Sequence, residues 1–357
     1  MRILLISGSL PPMKCGVGDY AASLAKALSR REDTSVAVLT DEAAKPIPSD
    51  FDFEVFPVAE GWRVADAVRI AKVTRRWRPD LVHIQYPTQG YGNRYLPWLL
   101  PALFRIGNVP VVQTWHEFPW HRNLLNAIWS DAIIAVRPNY KANMPQWCRW
   151  LTWKKKFAFI PNASPIPAMR LTDKERVAIR SRFATPPNRL VVYFGFFYPP
   201  KRTELLFDIA DPSLDRLVLV GVLDLKDEYN KLILNRINQA PWTGKATVTG
   251  FLPAEEVARI LAAADAVVLP FRDGGGIWNT SIHAAVAQGT FVLTTAREQH
   301  GYDSSRNIYY ARPDDVADMK HALEAHIGSR LPESAEDKLS EWEAIAQAHV
   351  SLYASVL

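Results

Sequence analysis

Cysteine is nearly absent: Cys15 and Cys148 are the only two in 357 residues, with no CxxC pair and no clustered Cys/His spacing. That excludes a disulfide framework and leaves no zinc site to expect. Long apolar runs are missing as well, none approaching the ~20 residues of a spanning helix, so a chain that crosses a membrane is not expected. The opening MRILLISGSLPP has one basic residue and a strand-like run broken at Pro11-Pro12. It lacks the small-residue cleavage site of a secretory signal, and a cytoplasmic location is expected. A dinucleotide fingerprint is also lacking, because the glycines of SGSLPPMKCGVGDY come late and as GVG, not as GxGxxG directly after a strand. No helix-turn-helix, RRM or KH signature is present, which argues against a nucleic-acid partner.

What is present is an ordinary globular composition, 48% hydrophobic and 22% charged, at a length that suits two domains. The charge divides unevenly. Residues 1–160 hold 21 Lys/Arg against 13 Asp/Glu, whereas the remainder holds 21 against 24. Nine of the twelve tryptophans also fall in the first half. The stretch RVADAVRIAKVTRRWRP places Arg69, Lys72 and Arg76 along one helical face beside Val64, Val68 and Ala71. RPNYKANMPQWCRWLTWKKKF interleaves aromatic and basic residues. Each reads either as a solvated face over a core helix or as a surface for an anionic membrane or an acidic substrate.

Short apolar runs alternate with amphipathic stretches: RILLIS, TSVAVLT, LVHIQ, PVVQT, AIIAV and FAFIP, then RLVVYFG, RLVLVG, ATVTG, AVVLP and TFVLTT. Runs that are apolar throughout predict strands buried on both faces, with the helical segments as parallel crossovers. Two doubly wound α/β units follow. PNASPIPAMRLTD, with three prolines and no period, has the composition of a linker, which puts a hinge near residues 161–170. The ending SEWEAIAQAHVSLYASVL is a helix with Trp342, Ile345, Ala346, His349, Leu352 and Tyr353 at helical spacing. No strand follows it, so it is expected to pack back on another part of the molecule.

Ligands of such sheets sit outside the carboxyl ends of the strands, and four loops there carry candidate residues. In the first, Gly16 and Gly18 free the backbone at a helix start that favours an anion, with Asp19 beside them. In the second, VVQTWHEFP, His116 follows a buried strand and is placed to exchange a proton or bond a sugar hydroxyl. Glu117 adjoins it, and Gln85 and Tyr86 of LVHIQYP are polar lining candidates. The third, VVYFGFFYPPKRTELL, has Gly195 and then Lys201 and Arg202 at an expected helix start. Cations there oppose the helix dipole, an inconsistency that an anionic ligand would remove. The fourth, PFRDGGGIWNTSIHAAV, follows a strand with Asp273 and three glycines, then Asn279, Thr280 and Ser281 at the N-cap and first turn. So bare a loop lets a ligand approach Gly275 and Gly276 closely.

In this order, these loops resemble those of the GT-B glycosyltransferases, specifically the retaining group-1, family 4 enzymes, over essentially the whole chain. The likeness rests on LPPMKCGVGDYAASLAKAL, TWHEF, FIPNA, FGFFYPPKRTELL, VTGFLPAEEVARILAAADAVVLPF, AAVAQGTFVLTT and the final Trp/His/Tyr helix. It implies two Rossmann-like domains facing each other across a cleft. Residues 1–163 form the acceptor side with helix 338–357 returning to it, and residues 164–337 form the donor side. It further implies transfer of a sugar from a nucleotide-diphosphate sugar to an acceptor, with retention and without a metal or other cofactor. The expected donor is a UDP- or GDP-sugar and the expected acceptor a saccharide or lipid-linked one, and the basic, tryptophan-rich first half points to work at the inner membrane face. By the same likeness, Gly16 would meet the donor phosphate or sugar, His116 would bond near the reacting sugar, and Lys201 would clamp the pyrophosphate. Phe251 and Leu252 would hold the base.

Two departures stand out. The family arginine after the glycine of the clamp strand is Phe196 here, leaving Arg202 as its substitute. The family's paired glutamates, one on the donor sugar and one on the ribose, fall on Gly276 and Ala284, with Asp273 as a stand-in for a sugar contact. A sugar-nucleotide-binding protein without turnover therefore stays open. So does an NAD(P)-dependent oxidoreductase on the same sheet topology, although the missing GxGxxG counts against it.

Overall fold

The computed structural model describes residues 1–117, 126–276, 278–331 and 341–357. The chain forms two compact units, one of residues 1–163 with the C-terminal residues 337–357, the other of residues 164–336.

In the first unit the strands are β1 (Arg2–Ile6), β2 (Ser35–Asp41), β3 (Glu54–Ala59), β4 (Leu81–Tyr86), β5 (Val111–Trp115), β6 (Ala132–Ala135) and β7 (Lys156–Phe159). They lie in the order β3-β2-β1-β4-β5-β6-β7, every pair parallel. Ile3 to Ile6 of β1 are completely buried, as a central strand covered on both faces requires. Helix α1 (Gly16–Ser29) packs on one face with Tyr20, Leu24 and Leu28. Helices α2 (Asp66–Trp77), α3 (Leu96–Ile106), α4 (Asn126–Trp129) and α5 (Gln146–Leu151) share the core of the other face through Ile70, Leu100, Ala127 and Cys148. Right-handed crossovers force this division: connections running one way along the sheet cover one face, and those running the other way cover the opposite face. Strand β3, EVFPVA, was not among the runs read from the sequence. It carries Pro57 and mostly half-buried side chains, and it occupies the sheet edge where proline is tolerated.

The second unit opens with α6 (Asp173–Arg180), started by a capping box between Thr172 and Glu175. Its strands are β8 (Arg189–Phe194), β9 (Asp215–Val220), β10 (Ala246–Val248), β11 (Ala266–Leu269), β12 (Val292–Thr295), β13 (Gly301–Asp303) and β14 (Ile308–Ala311). The order is β10-β9-β8-β11-β12-β14-β13, parallel except for the antiparallel edge strand β13. Helices α7 (Leu206–Ile209), α8 (Glu228–Asn238), α9 (Ala254–Ala263), α10 (Thr280–Val286) and α11 (Val316–His326) complete it. A single core runs through the unit from Leu190 to Leu323.

The last helix, α12 (Glu341–Ala354), returns to the first unit and buries Ile345, Ala346, His349, Val350 and Tyr353 in the core beneath α1. Residues 338–340, where the sequence places its start, lie outside the described residues. No helix of the described residues is long and apolar enough to cross a membrane.

Candidate functional site

A doubly wound sheet opens a crevice where its strand order reverses, in the first unit between β1 and β4. The loops leaving those two strands meet there. The Gly90 N–H donates to Ser9 Oγ at 2.8 Å. A Cβ on Gly90 would lie 1.7 Å from the Gly8 carbonyl oxygen, and one on Gly8 would lie 2.1 Å from Thr88 Oγ1. This glycine contact was not anticipated from the sequence, although GSL and TQGYG both follow strands that end at the crevice. Helix α1 begins at Gly16 with Cys15 in the N-cap position, and Cys15 supplies no side-chain cap. The first turn thus keeps the partial positive charge that favours an anion. Gly16 is exposed, but Gly18 is buried, and a Cβ there would lie 3.0 Å from the Ser9 carbonyl oxygen. The absence of a side chain at Gly18 is therefore explained by loop packing against the Ser9 backbone. Asp19 in the same turn has no hydrogen-bond or ion-pair partner for its carboxylate among the described residues, and burial pushes its carboxyl up to about 6.

His116 prolongs β5, its N–H donating to the Tyr86 carbonyl at 2.8 Å. Its Nε2 meets Gln85 Oε1 at 2.8 Å, and Gln85 Nε2 meets His83 Nε2 at 3.2 Å. His83 Nδ1 in turn meets the Tyr353 hydroxyl of α12 at 2.6 Å. One assignment of protons satisfies all three contacts. His116 Nε2–H donates to Gln85, the Gln85 amide donates to His83 Nε2, and His83 Nδ1–H donates to Tyr353. His116 then carries its lone pair on Nδ1. Burial lowers its pKa to about 3 and holds that of His83 well below the usual value. His116, part-exposed and packed edge-on against Tyr20 at 4.8 Å, is a neutral hydrogen-bonding group at physiological pH.

Gln85 and Tyr86 are not lining residues, which corrects the sequence expectation. Gln85 is fully buried as the link between two histidines, and buried Tyr86 accepts a hydrogen bond from Trp98 Nε1 at 3.2 Å. Glu117 is exposed. His83, His349 and Tyr353 escaped the functional reading, although polar residues at core positions of a strand and a helix were the available signal.

In the second unit the order reverses between β8 and β11, and their loops meet as well. The Arg272 N–H donates to the Pro200 carbonyl at 3.0 Å, and Lys201 Nζ lies 4.3 Å from the centre of the Phe271 ring. Gly195, at φ +145°, crosses Gly221, where a Cβ would fall 2.3 Å from the Gly195 carbonyl oxygen. The expected α-helix start at Lys201 is instead a pair of 3-10 turns, Pro199–Lys201 and Thr203–Leu205. Between them Arg202 adopts φ +53° and pairs with Asp314 (Nε to Oδ1, 2.8 Å) and Glu204 (2.9 Å). The dipole conflict is thus relieved from within the unit, and Arg202 is not an unengaged clamp.

The glycine run needs a similar correction. Gly274 takes φ +82° against the Ala296 backbone. A Cβ on Gly275 would strike Ile282 Cδ1 at 2.6 Å and Thr294 Oγ1 at 2.7 Å, and one on Gly276 would strike the Trp278 ring at 2.5 Å. Both amides are engaged: Gly275 N–H donates to the Thr295 carbonyl at 2.6 Å and Gly276 N–H to Asn279 Oδ1 at 2.9 Å. Asn279 N–H donates to the Gly276 carbonyl at 2.9 Å. Asn279 therefore closes the loop and does not cap α10 through its side chain, and the Thr280 and Ser281 amides have no acceptor among the described residues. Ser281 itself is buried. Asp273 is held by Arg297 at 2.8 Å.

What the carboxyl ends of these strands do present is basic. Arg272 after β11, Arg297 after β12 and Arg312 after β14, with His300, line a shallow basin of about 700 Å3 that Asp273 and Asp314 border. Reading the residues just past each strand would have found all three arginines. Phe251, 67% exposed, and half-buried Leu252 follow Gly250 at the end of β10. Among the described residues no three His, Cys, Asp or Glu side chains come together in a way that could hold a metal ion.

The family model for Glycosyltransferase Family 4 matches residues 15–163, and that for Glycosyl transferases group 1 matches residues 188–328. No curated protein matches the sequence. Among solved structures, the chain is similar to sucrose-phosphate synthase from Thermosynechococcus elongatus, with a TM-score of 0.76, 17% identity, and coverage of 100% of this chain and 99% of that one. It is also similar to Anabaena Alr3699/HepE in complex with UDP and glucose (0.70, 18%, all of both chains). A third is the catalytic domain of starch synthase IV from Arabidopsis thaliana, bound to ADP and acarbose (0.67, 13%, 100% and 98%). The architecture, the order of the loops and the two family models together place this chain in the group-1, family 4 glycosyltransferases of the GT-B fold.

Proposed function

We propose that the protein transfers a hexose from a UDP- or GDP-sugar to a saccharide or lipid-linked acceptor, with retention at the anomeric carbon and without a metal ion, at the cytoplasmic face of a membrane. The observation that carries the reading is the junction of the β8 and β11 loops, where Lys201 stands over Phe271 beside a basin lined by Arg272, Arg297 and Arg312. In such a transfer the bond from the anomeric carbon to the diphosphate oxygen breaks, and one to an acceptor hydroxyl forms. Negative charge grows on the departing diphosphate, so fixed cations there lower the barrier. Lys201 is assigned to the diphosphate, Gly195, Phe251 and Leu252 to the nucleoside, and Thr280 and Ser281 to the donor's polar groups, while the uncapped start of α1 at Gly16 is assigned to an anionic or hydroxyl group of a substrate on its own unit. The residues past the hinge form the donor side in this reading, and those before it the acceptor side. His116 accepts a hydrogen bond from a sugar hydroxyl at Nδ1, and Asp19 and Glu117 face the acceptor. The relatives support the donor class, because HepE is described with UDP and glucose and starch synthase IV with ADP and acarbose.

A thermal-shift screen of nucleotides and nucleotide sugars in the presence of EDTA, followed by product analysis, tests the proposal. Stabilisation by UDP or GDP, and turnover abolished in Lys201→Ala, are expected. Binding without turnover on any acceptor would favour the second reading, a sugar-nucleotide-binding protein, for which the absent carboxylates at Gly276 and Ala284 speak.

A further inference from the structure

The two helical layers of the first unit differ in what they turn outward. Helix α3 buries Leu96, Leu100 and Phe104 against the sheet, yet its opposite side carries Leu99, Leu103 and Ile106, the last 73% exposed. A helix apolar on both sides ordinarily has a neighbour on both. Helix α5 behaves likewise. Cys148 and Thr152 point inward, while Trp147, Trp150 and Trp153, spaced by three, are 47%, 73% and 67% exposed.

The two segments share the core on the same face of the sheet. Arg105 near the end of α3 pairs with Asp131 at 3.3 Å, and Lys155, beyond α5, lies within the electrostatic reach of both. Half-exposed Trp129 ends α4 two residues before Asp131. The segment that builds this face is mostly of one charge sign. Between Leu81 and Ala163 the chain holds nine Lys/Arg against two acids, Glu117 and Asp131, and Asp131 is already engaged by Arg105. Arg149 lies exposed between Trp147 and Trp150, and Lys154 Nζ sits 5.1 Å from the Trp153 ring. Lys156 is turned away, donating to the Ser355 carbonyl.

From this juxtaposition we propose that the outer face of α3, α4 and α5 docks on a lipid bilayer bearing anionic headgroups. Tryptophans anchor at the headgroup level, where an amphipathic ring is favoured, and the leucine stripe of α3 reaches the acyl boundary. Arg149, Lys154 and Lys155 meet the headgroup charge. A second copy of the chain is the poorer occupant, since joining two such faces sets like charge against like. The inference deepens the reading of a membrane-held acceptor but requires no donor chemistry.

The test is flotation of the full chain with vesicles of phosphatidylcholine, alone or mixed with phosphatidylglycerol, at low and high salt. Binding to the mixed vesicles that weakens with salt is expected. Arg149→Ser/Lys154→Ser/Lys155→Ser should weaken it by about fivefold per residue. Trp150→Ser/Trp153→Ser should weaken it while keeping the salt dependence. Both variants should retain the wild-type melting temperature. Absence of binding, equal binding to both vesicle types, or a dimer in solution that the tryptophan variant dissolves would overturn the proposal. Nucleotide-induced stabilisation measured on the same samples separates the two readings. Vesicle binding without it sinks the transferase reading alone, and the converse sinks the docking face alone.

Discussion

Replacing Gln85 by leucine tests the link between the buried polar chain and His116. Leucine is close in size to glutamine, so packing in this fully buried position is largely kept while both hydrogen bonds are lost. His116 Nε2–H loses its only described acceptor, at a cost of about 1–3 kcal/mol for an orphaned donor. His83 Nε2 keeps Thr114 Oγ1 at 2.8 Å and loses one of two partners, about 0.5–1.5 kcal/mol. Apolar burial of the leucine offsets about 1–2 kcal/mol of this, leaving a net loss of about 1–3 kcal/mol, readable in urea unfolding of the purified protein. The catalytic effect follows from the proton. With Gln85 present, His116 is held as the Nε2–H tautomer with an acceptor at Nδ1. Without it, the tautomers approach equal standing, and a bias of about 1–3 kcal/mol disappears. Equal populations leave about half of the molecules in the competent tautomer, so the expected result is a fall in kcat of about twofold with little change in donor KM. Gln85→Glu, which accepts the same bond, should recover part of the activity and raise the pKa of His116. Lost stability with unchanged kcat would refute the tautomer argument, and no change in either would refute the hydrogen-bond chain itself.

The other predictions draw on the same geometry. Burial lowers His349 to about 4, so the unfolded chain takes up a proton near pH 6.5 that the folded one refuses. Stability is full above pH 6.5 and falls by about 1.4 kcal/mol per pH unit toward pH 4 for this group, and denaturant titrations of His349→Phe should show a shallower slope. Asp19, pushed up to about 6, should contribute an acid limb near that pH to the rate profile, and Asp19→Asn should remove it. Gly90→Ala drives a methyl group into backbone at 1.7 Å and should abolish folding of the first unit, whereas Gly275→Ala, facing mostly side chains, should cost about 1–3 kcal/mol by thermal unfolding. Ala284→Glu, which restores a family carboxylate at a fully buried position, should destabilise by about 3 kcal/mol or more and not raise activity in a transfer assay.

Most of the fold was legible because its central strands are apolar throughout, and only two-sided burial in a parallel sheet requires that of a short run. The strands that escaped lie toward the sheet edges or carry a foreign residue. Pro57 interrupts β3, β13 is three residues long, and the partner of β13 is the tyrosine-rich β14. The positions of the crevice loops were also legible, because glycine and proline punctuate them. What those loops do was less so. A glycine says that space or a positive φ is needed, without saying what occupies the space. At Gly275 it is Ile282 and Thr294, at Gly18 the Ser9 backbone, and at Gly90 the Gly8 carbonyl. Arg202 looked like a dipole conflict because Asp314, its partner 112 residues away, is invisible to local reading.

The positions of the family glutamates sharpen the point. Ala284 is fully buried in the core of the second unit, and a Cβ at Gly276 would meet the Trp278 ring. Restoring either carboxylate therefore requires repacking, so this chain has not merely exchanged two surface side chains. Asp273 does not replace them directly, because Arg297 holds it and Arg272 stands 3.6 Å away. The net effect at this face of the second unit is two fewer carboxylates than the family pattern and three arginines near the strand ends, Arg272, Arg297 and Arg312. In the proposed reading such a surface recognises a donor mainly through its phosphates and weakly through its sugar. Donor selectivity, on that same reading, rests on the nucleoside contacts assigned to Phe251 and Leu252 and on Thr280, and a donor panel should discriminate bases more sharply than hexoses.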